Sequence, residues 1–373
     1  MFANRMNYIE ASSIRRMFEM ASKMKNPINF SLGLPDFDVP EVVKEAAIKA
    51  IRDGKNQYTI TSGIPEFKHA IQTSLLSEGV KAEQVVATAG ASGGLILALL
   101  VLADENTEVL IPEPCFLAYE QMVKLAGAKV RWISTYPKLK LSADQLDQEI
   151  QKSKQENPQI KNRLFIYNSP VNPTGIAYTG DEISGLAQIT KKHNVRVIAD
   201  EVYDRFSYDF KHESWLKHDL SAVLVRTFGK TWGMTGWRAG YVAGPADVLD
   251  HMTTLQQFTY VCVNTPTQWA CIEALKVSVE DKIVAYAKKR NLVYDALKDH
   301  LELIKPQGAF YAFPQAPFGD TAAFLKKCIK HEILIVPGEA FSQKNSHFRL
   351  SFALSDDDLS RGLEALIKVI KEN

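Results

Sequence analysis

Cysteine is scarce in this sequence, and the few cysteines show no pattern that suggests a disulfide bond or a metal site. The chain of 373 residues contains four, at Cys115, Cys262, Cys271 and Cys328. They form no C-x-x-C pair, and none lies at a zinc-type spacing from a histidine. We therefore expect neither a disulfide framework nor a structural zinc or other metal, and free cysteines favour a reducing compartment.

Long apolar runs and a dominant sign of charge are also missing. The apolar stretch GGLILALLVLA, residues 93–103, is shorter than the roughly 18 residues that a membrane-spanning helix needs. The first 20 residues contain no apolar segment of the secretory type. Lys and Arg number 44 against 43 Asp and Glu, which leaves no basic footprint for nucleic acid. We expect a cytoplasmic protein that binds neither a membrane nor nucleic acid.

The middle of the chain alternates short apolar segments with longer amphipathic ones. This alternation predicts an α/β fold, with a mainly parallel sheet that is covered by helices on both faces. Ligands bind beyond the carboxyl ends of the strands in such sheets, so functional polar residues are expected just after each apolar run. The predicted strands are residues 83–88, 107–112, 128–134, 163–170, 195–201, 221–228 and 239–245.

The pattern changes from about residue 270. A long helix-periodic stretch, residues 267–302, is followed by three short strand-like pieces, GAFYAFP, EILIVPG and FRLSFAL. This favours a second, smaller α+β domain. The predicted division is a large domain at 46–275 and a small domain made of the N-terminal arm, 1–45, together with 276–373.

The segment GASGG, Gly90–Gly94, matches the G-x-S-x-G pattern of a hydrolase nucleophile elbow. A predicted strand precedes it and a helix follows, as that motif requires. Ser92 could then be a nucleophile, with a downstream histidine as its base. The alternative is that the turn binds a phosphate at the amino end of the helix, where backbone N–H groups are free.

Polar residues follow several predicted strands. Each has an ordinary structural explanation: Asp200 could cap a helix, Asn172 could only form a turn, and Arg349 could pair with a buried carboxylate. Their joint order along the chain is more specific. The candidates are Asn172 in NSPVNPTG, Asp200 and Tyr203 in ADEVYDRF, Thr227, Lys230 and Arg238 in TFGKTWGMTGWRAGY, and Arg349 in FRLSFA.

Together these motifs resemble the class I/II aminotransferases, which are fold-type I pyridoxal-phosphate (PLP) enzymes. More narrowly, the chain is similar to the aspartate/aromatic aminotransferases of bacteria and archaea. The similarity runs in order from SLGLPDFDVP, residues 31–40, to FRLSFA. It implies PLP as the cofactor and a homodimer with shared active sites.

The resemblance implies a role for each residue around the cofactor ring. Lys230 matches the lysine whose amine condenses with the PLP aldehyde and later moves a proton. Asp200 matches the carboxylate that keeps the pyridine nitrogen protonated. Tyr203 and Asn172 match donors to the phenolate oxygen of the ring, and Phe116 falls where the family stacks an aromatic side chain.

The resemblance also explains GASGG as the phosphate site. Ala91 and Ser92 begin the helix, and Thr227 and Arg238 match the family's further hydroxyl and positive charge. Tyr58 matches a tyrosine that reaches the phosphate of the neighbouring subunit. On this interpretation Ser92 is a phosphate ligand and not a nucleophile.

The substrate is implied only by class. Arg349 matches the arginine that binds the α-carboxylate of the substrate, where a planar fork binds better than a lysine. Gly33 and Asn172 would add contacts to the same carboxylate. Leu34 stands where the family usually has Glu, and Ser92 where some aspartate-specific relatives have Lys, so the amino-acid donor stays open.

The implied reaction is a ping-pong transfer of the amino group of an L-amino acid to a 2-oxo acid, with 2-oxoglutarate as the expected acceptor, in amino-acid metabolism or biosynthesis. A C–S β-lyase of the same fold is the alternative, because it shares the lysine, the aspartate and the carboxylate-binding arginine. A serine hydrolase that uses Ser92 is a remote second alternative.

Overall fold

The computed structural model describes residues 2–9, 24, 26–319 and 321–372. Its strands are β1 (Ile28–Asn29), β2 (Gln84–Thr88), β3 (Thr107–Glu113), β4 (Lys129–Ser134), β5 (Asn162–Asn168), β6 (Arg196–Asp200), β7 (Val223–Thr227), β8 (Gly240–Gly244), β9 (Tyr311–Ala312), β10 (Ile333–Leu334), β11 (Val336–Pro337) and β12 (Phe348–Ser351). Its α-helices are α1 (Glu41–Arg52), α2 (Pro65–Ser77), α3 (Gly90–Leu102), α4 (Ala118–Leu125), α5 (Ala143–Glu156), α6 (Gly180–His193), α7 (Phe228–Thr231), α8 (Ala246–Gln257), α9 (Thr265–Ala274), α10 (Glu280–Leu297), α11 (Thr321–Lys330) and α12 (Asp356–Lys371).

A seven-stranded sheet forms the centre of the molecule, in the order β2-β8-β7-β6-β5-β3-β4. All of its strands run parallel except β8, which is antiparallel to both of its neighbours. The prediction of a mainly parallel sheet is confirmed. The reversal of β8 is a finding of the structure, because an apolar run carries no mark of its direction.

Helices cover both faces of this sheet because its strands carry apolar side chains on both faces. Val85 and Leu224 belong to the apolar cluster on one face, and Val86 and Val225 belong to the cluster on the other. Helix α3 packs on the second face against β7, β8 and α8. The close packing requires a glycine at position 94, because a methyl group there would collide with the side chain of Val242 on β8.

A second apolar core lies outside this sheet. It joins Ile28 and Phe30 to side chains of α10, α11, α12 and the three-stranded antiparallel sheet β11-β12-β9. Strand β1 pairs with β10, so the segment before α1 is joined to the C-terminal part of the chain.

The helix-periodic stretch 267–302 is two helices rather than one. It breaks between α9 and α10, at residues 275–279. Val277, Ser278 and Val279 are weak helix formers, and the Ser278 hydroxyl accepts a hydrogen bond from the N–H of Glu280 (3.3 Å). None of the helices in the described part of the chain combines the length and apolar character that a membrane crossing requires.

Candidate active site

A cavity of about 450 Å³ lies where β5, β6 and β7 end, between the two apolar cores. It brings together residues that are up to 316 positions apart in the sequence, from Gly33 to Arg349. Every predicted site residue except Tyr58 lines it: Gly33, Ala91, Ser92, Phe116, Asn172, Asp200, Tyr203, Thr227, Lys230, Arg238 and Arg349.

Lys230 lies on the single turn of α7, directly after β7. The Thr227 hydroxyl accepts the N–H of Gly229 at 3.1 Å, which holds the start of this turn. The Lys230 amine donates to the carbonyl of Gly33 at 2.6 Å. Burial, together with the positive charges of Arg349 and Arg238, lowers the pKa of Lys230 to about 8. A substantial share of this amine is therefore neutral and basic near physiological pH.

Asp200 is the last residue of β6 and is buried in the cavity wall. One of its oxygens accepts the hydroxyl of Tyr119 at 2.6 Å, and the other accepts the N–H of Val202 at 3.2 Å. Burial raises the pKa of Asp200 to about 6 against these two hydrogen bonds. Within the described chain no cation pairs with it at ion-pair distance, so this carboxylate suits a cationic group that enters the cavity.

Arg349 on β12 is a buried arginine without a carboxylate partner among the described residues. It is 1% exposed. It donates to the carbonyl of Ser31 at 2.6 Å and to the amide oxygen of Asn172 at 3.1 Å, while its Nε has no partner in the described structure. Its guanidinium lies over the rings of Tyr311 (4.5 Å) and Phe341 (4.9 Å). A buried cation with an unused donor is ready for an anion.

The start of α3 forms a second position for an anion. No side chain caps this end of the helix, so its first N–H groups are available. Gly90 has φ +67°, and a methyl group there would lie 2.9 Å from Nη2 of Arg238. Arg238 donates to the carbonyl of Thr235 (3.1 Å), and Thr227, whose hydroxyl donates to the carbonyl of Ala239 (3.1 Å), also lines the cavity.

The family model of aminotransferase class I and II matches residues 25–366. The chain belongs to the class I and II aminotransferases.

Relatives of this aminotransferase match along the whole chain. A probable aspartate aminotransferase of Methanocaldococcus jannaschii is 35% identical over 100% of both chains. Aromatic-amino-acid aminotransferase 2 of Thermococcus litoralis is 32% identical, over 99% of this chain and 98% of its own. The solved structure of Thermus thermophilus aspartate aminotransferase with maleate is 28% identical over 99% of each chain, with a TM-score of 0.90. The predicted family and fold type are confirmed.

The protein is therefore a PLP-dependent aminotransferase, an enzyme that acts on amino acids and 2-oxo acids. The residues of the cavity fit this cofactor. The uncapped start of α3 with Arg238 suits a phosphate, the buried carboxylate of Asp200 suits a protonated pyridine nitrogen, and the lowered pKa of Lys230 suits condensation with an aldehyde.

The hydrolase interpretation of this aminotransferase finds no support in the geometry. Ser92 is exposed at the cavity, but no histidine is among the described residues that line it. His347 instead stacks on Phe313 (5.2 Å between ring centroids). A serine nucleophile needs a base within hydrogen-bond reach, and among the described residues Ser92 makes no hydrogen bond to a basic side chain.

Two tyrosines that line the cavity of this aminotransferase are not among the residues that the sequence predicts. Tyr119 donates to Asp200, and the Tyr311 hydroxyl lies 2.8 Å from that of Tyr203. Tyr119 follows Phe116 by three residues after a strand end, which was an available signal. Tyr311 lies in a strand-like piece with no polar pattern, so nothing in the sequence marked it.

Tyr58 is the one predicted site residue that lies elsewhere. Its side chain is 85% exposed in the single chain and does not line the cavity. Its predicted role concerns the site of a neighbouring subunit, and it stays a prediction.

Proposed function

We propose that this aminotransferase moves the amino group of an L-amino acid to 2-oxoglutarate by a ping-pong cycle. The observation that carries this is one cavity lined by Lys230, whose pKa is lowered, by the carboxylate of Asp200, and by Arg349, whose Nε has no hydrogen-bond partner among the described residues. Bound PLP supplies the aldehyde that takes the amino group and the electron sink for the electrons of the broken Cα–H bond.

Each residue near the ring has a proposed task. Lys230 holds the aldehyde and, once released, moves the proton at Cα. Asp200 keeps the ring nitrogen protonated. Tyr203 and Asn172 donate to the ring's phenolate oxygen, and Phe116 packs on the ring face.

The two anion positions have proposed occupants. The phosphate lies at the start of α3, held by Ala91, Ser92, Thr227 and Arg238. The α-carboxylate of the substrate binds Arg349. Gly33 and Asn172 contribute to that carboxylate site; the Asn172 amide oxygen already accepts a hydrogen bond from Arg349 (3.1 Å).

Absorbance of the PLP-loaded protein tests this function. A single amino acid, added without any 2-oxo acid, is expected to bleach the visible band stoichiometrically, and 2-oxoglutarate is expected to restore it. A band that persists while pyruvate and ammonia accumulate would establish the C–S β-lyase instead. A band that no amino acid changes would contradict both.

We also infer that the enzyme works as a cytoplasmic homodimer in amino-acid metabolism or biosynthesis. Tyr58, Ile60 and Phe258 are 85%, 63% and 82% exposed in the single chain, and a second copy that covered them would remove large apolar side chains from water. Free cysteines, three of them buried, are consistent with a reducing compartment.

We propose the domain division that the sequence suggests, 46–275 for the large domain and 1–45 with 276–373 for the small one. Separate apolar clusters support it, since two lie on the faces of the seven-stranded sheet and a third is built on α10, α11 and α12. The pairing of β1 with β10 supports placing the N-terminal arm with the small domain.

A further inference from the structure

Tyr311 is a buried cavity residue to which nothing above assigns a task. It lies on β9, in the three-stranded sheet that also carries Arg349. Its hydroxyl is 2.8 Å from the hydroxyl of Tyr203, and the two rings meet edge to face with centroids 5.7 Å apart. Tyr203 and Tyr311 thus belong to the same apolar core and are joined in it by a hydrogen bond and a ring contact.

The position of this hydroxyl is enforced from three sides. The Arg349 guanidinium covers one face of the Tyr311 ring, and the Phe310 ring packs beside it with centroids 5.0 Å apart. A methyl group at Gly33 would occupy the place of the hydroxyl itself. The absence of a side chain at Gly33 therefore leaves room for this oxygen, and the carbonyl of the same glycine accepts a hydrogen bond from the Lys230 amine.

The number of hydrogens decides the direction of the bond between the two tyrosines. A phenol has one hydrogen to donate and two lone pairs to accept with. When Tyr203 gives its hydrogen to the ring oxygen of PLP, the bond to Tyr311 needs the hydrogen of Tyr311. Burial raises the pKa of the Tyr311 hydroxyl, so it keeps that hydrogen at neutral pH.

We propose that Tyr311 is a positioning residue that acts through Tyr203: its hydroxyl donates to the Tyr203 oxygen and so orients and strengthens the donation of Tyr203 to the cofactor. The proposal rests on the proposed role of Tyr203. Hydrogen bonds in such a chain polarise one another, so losing the outer one weakens the inner one without removing it.

The experiment compares Tyr311→Phe, Tyr203→Phe and the double variant. Each PLP-loaded protein is titrated from pH 5 to pH 10 without substrate, and the midpoint of the change in visible absorbance is recorded. A donor to the phenolate oxygen lowers this midpoint. We expect Tyr311→Phe to raise it by about half a unit, Tyr203→Phe to raise it further, and the double variant to equal Tyr203→Phe. The value of kcat/KM for Tyr311→Phe should fall about three- to tenfold.

Tyr167→Phe is the matched control. Tyr167 is also a buried tyrosine, but it does not line the cavity. The midpoint of the absorbance titration should be the same in Tyr167→Phe as in the unchanged protein. An unchanged midpoint in Tyr311→Phe with a raised one in Tyr203→Phe would overturn the relay and leave the proposed function intact. Unchanged midpoints in both would refute the role of Tyr203 and the relay together. Additive shifts in the double variant would show that Tyr311 acts independently of Tyr203.

Discussion

The most consequential single residue is Lys230, because its surroundings make it a base. An exposed lysine amine is almost wholly protonated at neutral pH, and a protonated amine cannot attack an aldehyde. In this fold, burial and two arginines disfavour the charged form, while Asp200 opposes them. Arg349 and Arg238, the proposed binding residues for the substrate carboxylate and the phosphate, therefore also lower the pKa of the Lys230 amine.

The pH dependence of PLP uptake tests this environment. The pKa of Lys230 is lowered to about 8, so the neutral fraction, and with it the rate of covalent uptake by the cofactor-free protein, should rise through about pH 8 rather than pH 10.5. Stopped-flow absorbance measures the rate.

Lys230→Ala should show no covalent uptake after borohydride reduction and should lose kcat by about 10³-fold or more. Lys298→Ala, on the surface, is the control. A midpoint that stays near 10.5 would contradict the argument.

The raised pKa of Asp200 leads to a prediction about the stability of the fold. Its pKa in the folded protein, about 6, lies above the ordinary value of 3.8, so its ionised form destabilises the fold above about pH 6 and the penalty fades toward pH 4. Asp200→Asn should therefore raise the Tm of the cofactor-free protein at pH 8 by about 2–5 °C, from a penalty of up to about 3 kcal/mol. Calorimetry at pH 8 and pH 4 checks it. An equal gain at both pH values would argue against charge burial as the cause.

At the scale of elements, α3 shows how a helix end becomes a binding site. Its interior is apolar and buried, which secures the helix, while its first turn is made of small residues and lacks a side-chain cap. The left-handed Gly90 turns the chain from the strand side into the helix beside Arg238. The interior of α3 therefore stabilises the helix, and its first turn is left available for binding.

Gly90→Ala should weaken phosphate binding. The methyl group would press on Arg238, and φ +67° is strained for alanine. We expect the Kd for PLP to rise at least tenfold while the weaker Kd for pyridoxal, which lacks the phosphate, changes little. Equilibrium dialysis measures both. Gly127→Ala is matched in strain, at φ +81°, but has nothing within 4 Å of the new methyl group, and it should leave both constants unchanged. Equal losses for PLP and pyridoxal would indicate general misfolding instead.

The elements also show what a sequence can and cannot reveal. The apolar runs at 163–170, 195–201 and 221–228 predicted both the strands and the edge where the site lies, because burial and strand-end geometry are local properties. The hydrogen bonds of Tyr119 and Tyr311 span 81 and 108 residues, and no local pattern encodes such a contact. The break between α9 and α10 was readable from Val277 and Val279, but the helical periodicity on either side masked it.

At the scale of the whole molecule, the site exists only where two apolar cores meet. Asp200 ends β6 of the seven-stranded sheet, and Lys230 and Arg238 lie on the connection between β7 and β8. Arg349 and Tyr311 lie instead on β12 and β9 of the three-stranded sheet. The sequence predicted two units from the change of pattern near residue 270. The pairing of β1 with β10, more than 300 residues apart, follows only from the assembled fold.

Hybrid dimers test whether each active site includes Tyr58 from the second subunit. If Tyr58 completes the neighbouring site, Tyr58→Ala and Lys230→Ala subunits, each poorly active alone, should form hybrids in which one site has both residues intact. Equal mixing after dissociation and reassembly should restore about a quarter of wild-type activity. Mixed Lys230→Ala and Arg349→Ala subunits are the control, because both changes fall within one chain's cavity and the hybrid keeps no intact site. Activity that never exceeds the mean of the parents would refute shared sites.

The reversed strand β8 has a consequence for how the chain can change in length. Thr227 pairs with Gly240, so residues 227–240 form a closed ring whose two ends are both anchored inside the sheet. Neither strand can slide by one residue, because its side chains would turn to the opposite face. An inserted or deleted residue would have to be absorbed inside the ring, where it would displace Lys230 or Arg238. Connections outside the ring, such as the one between α5 and β5, can lengthen without moving either group.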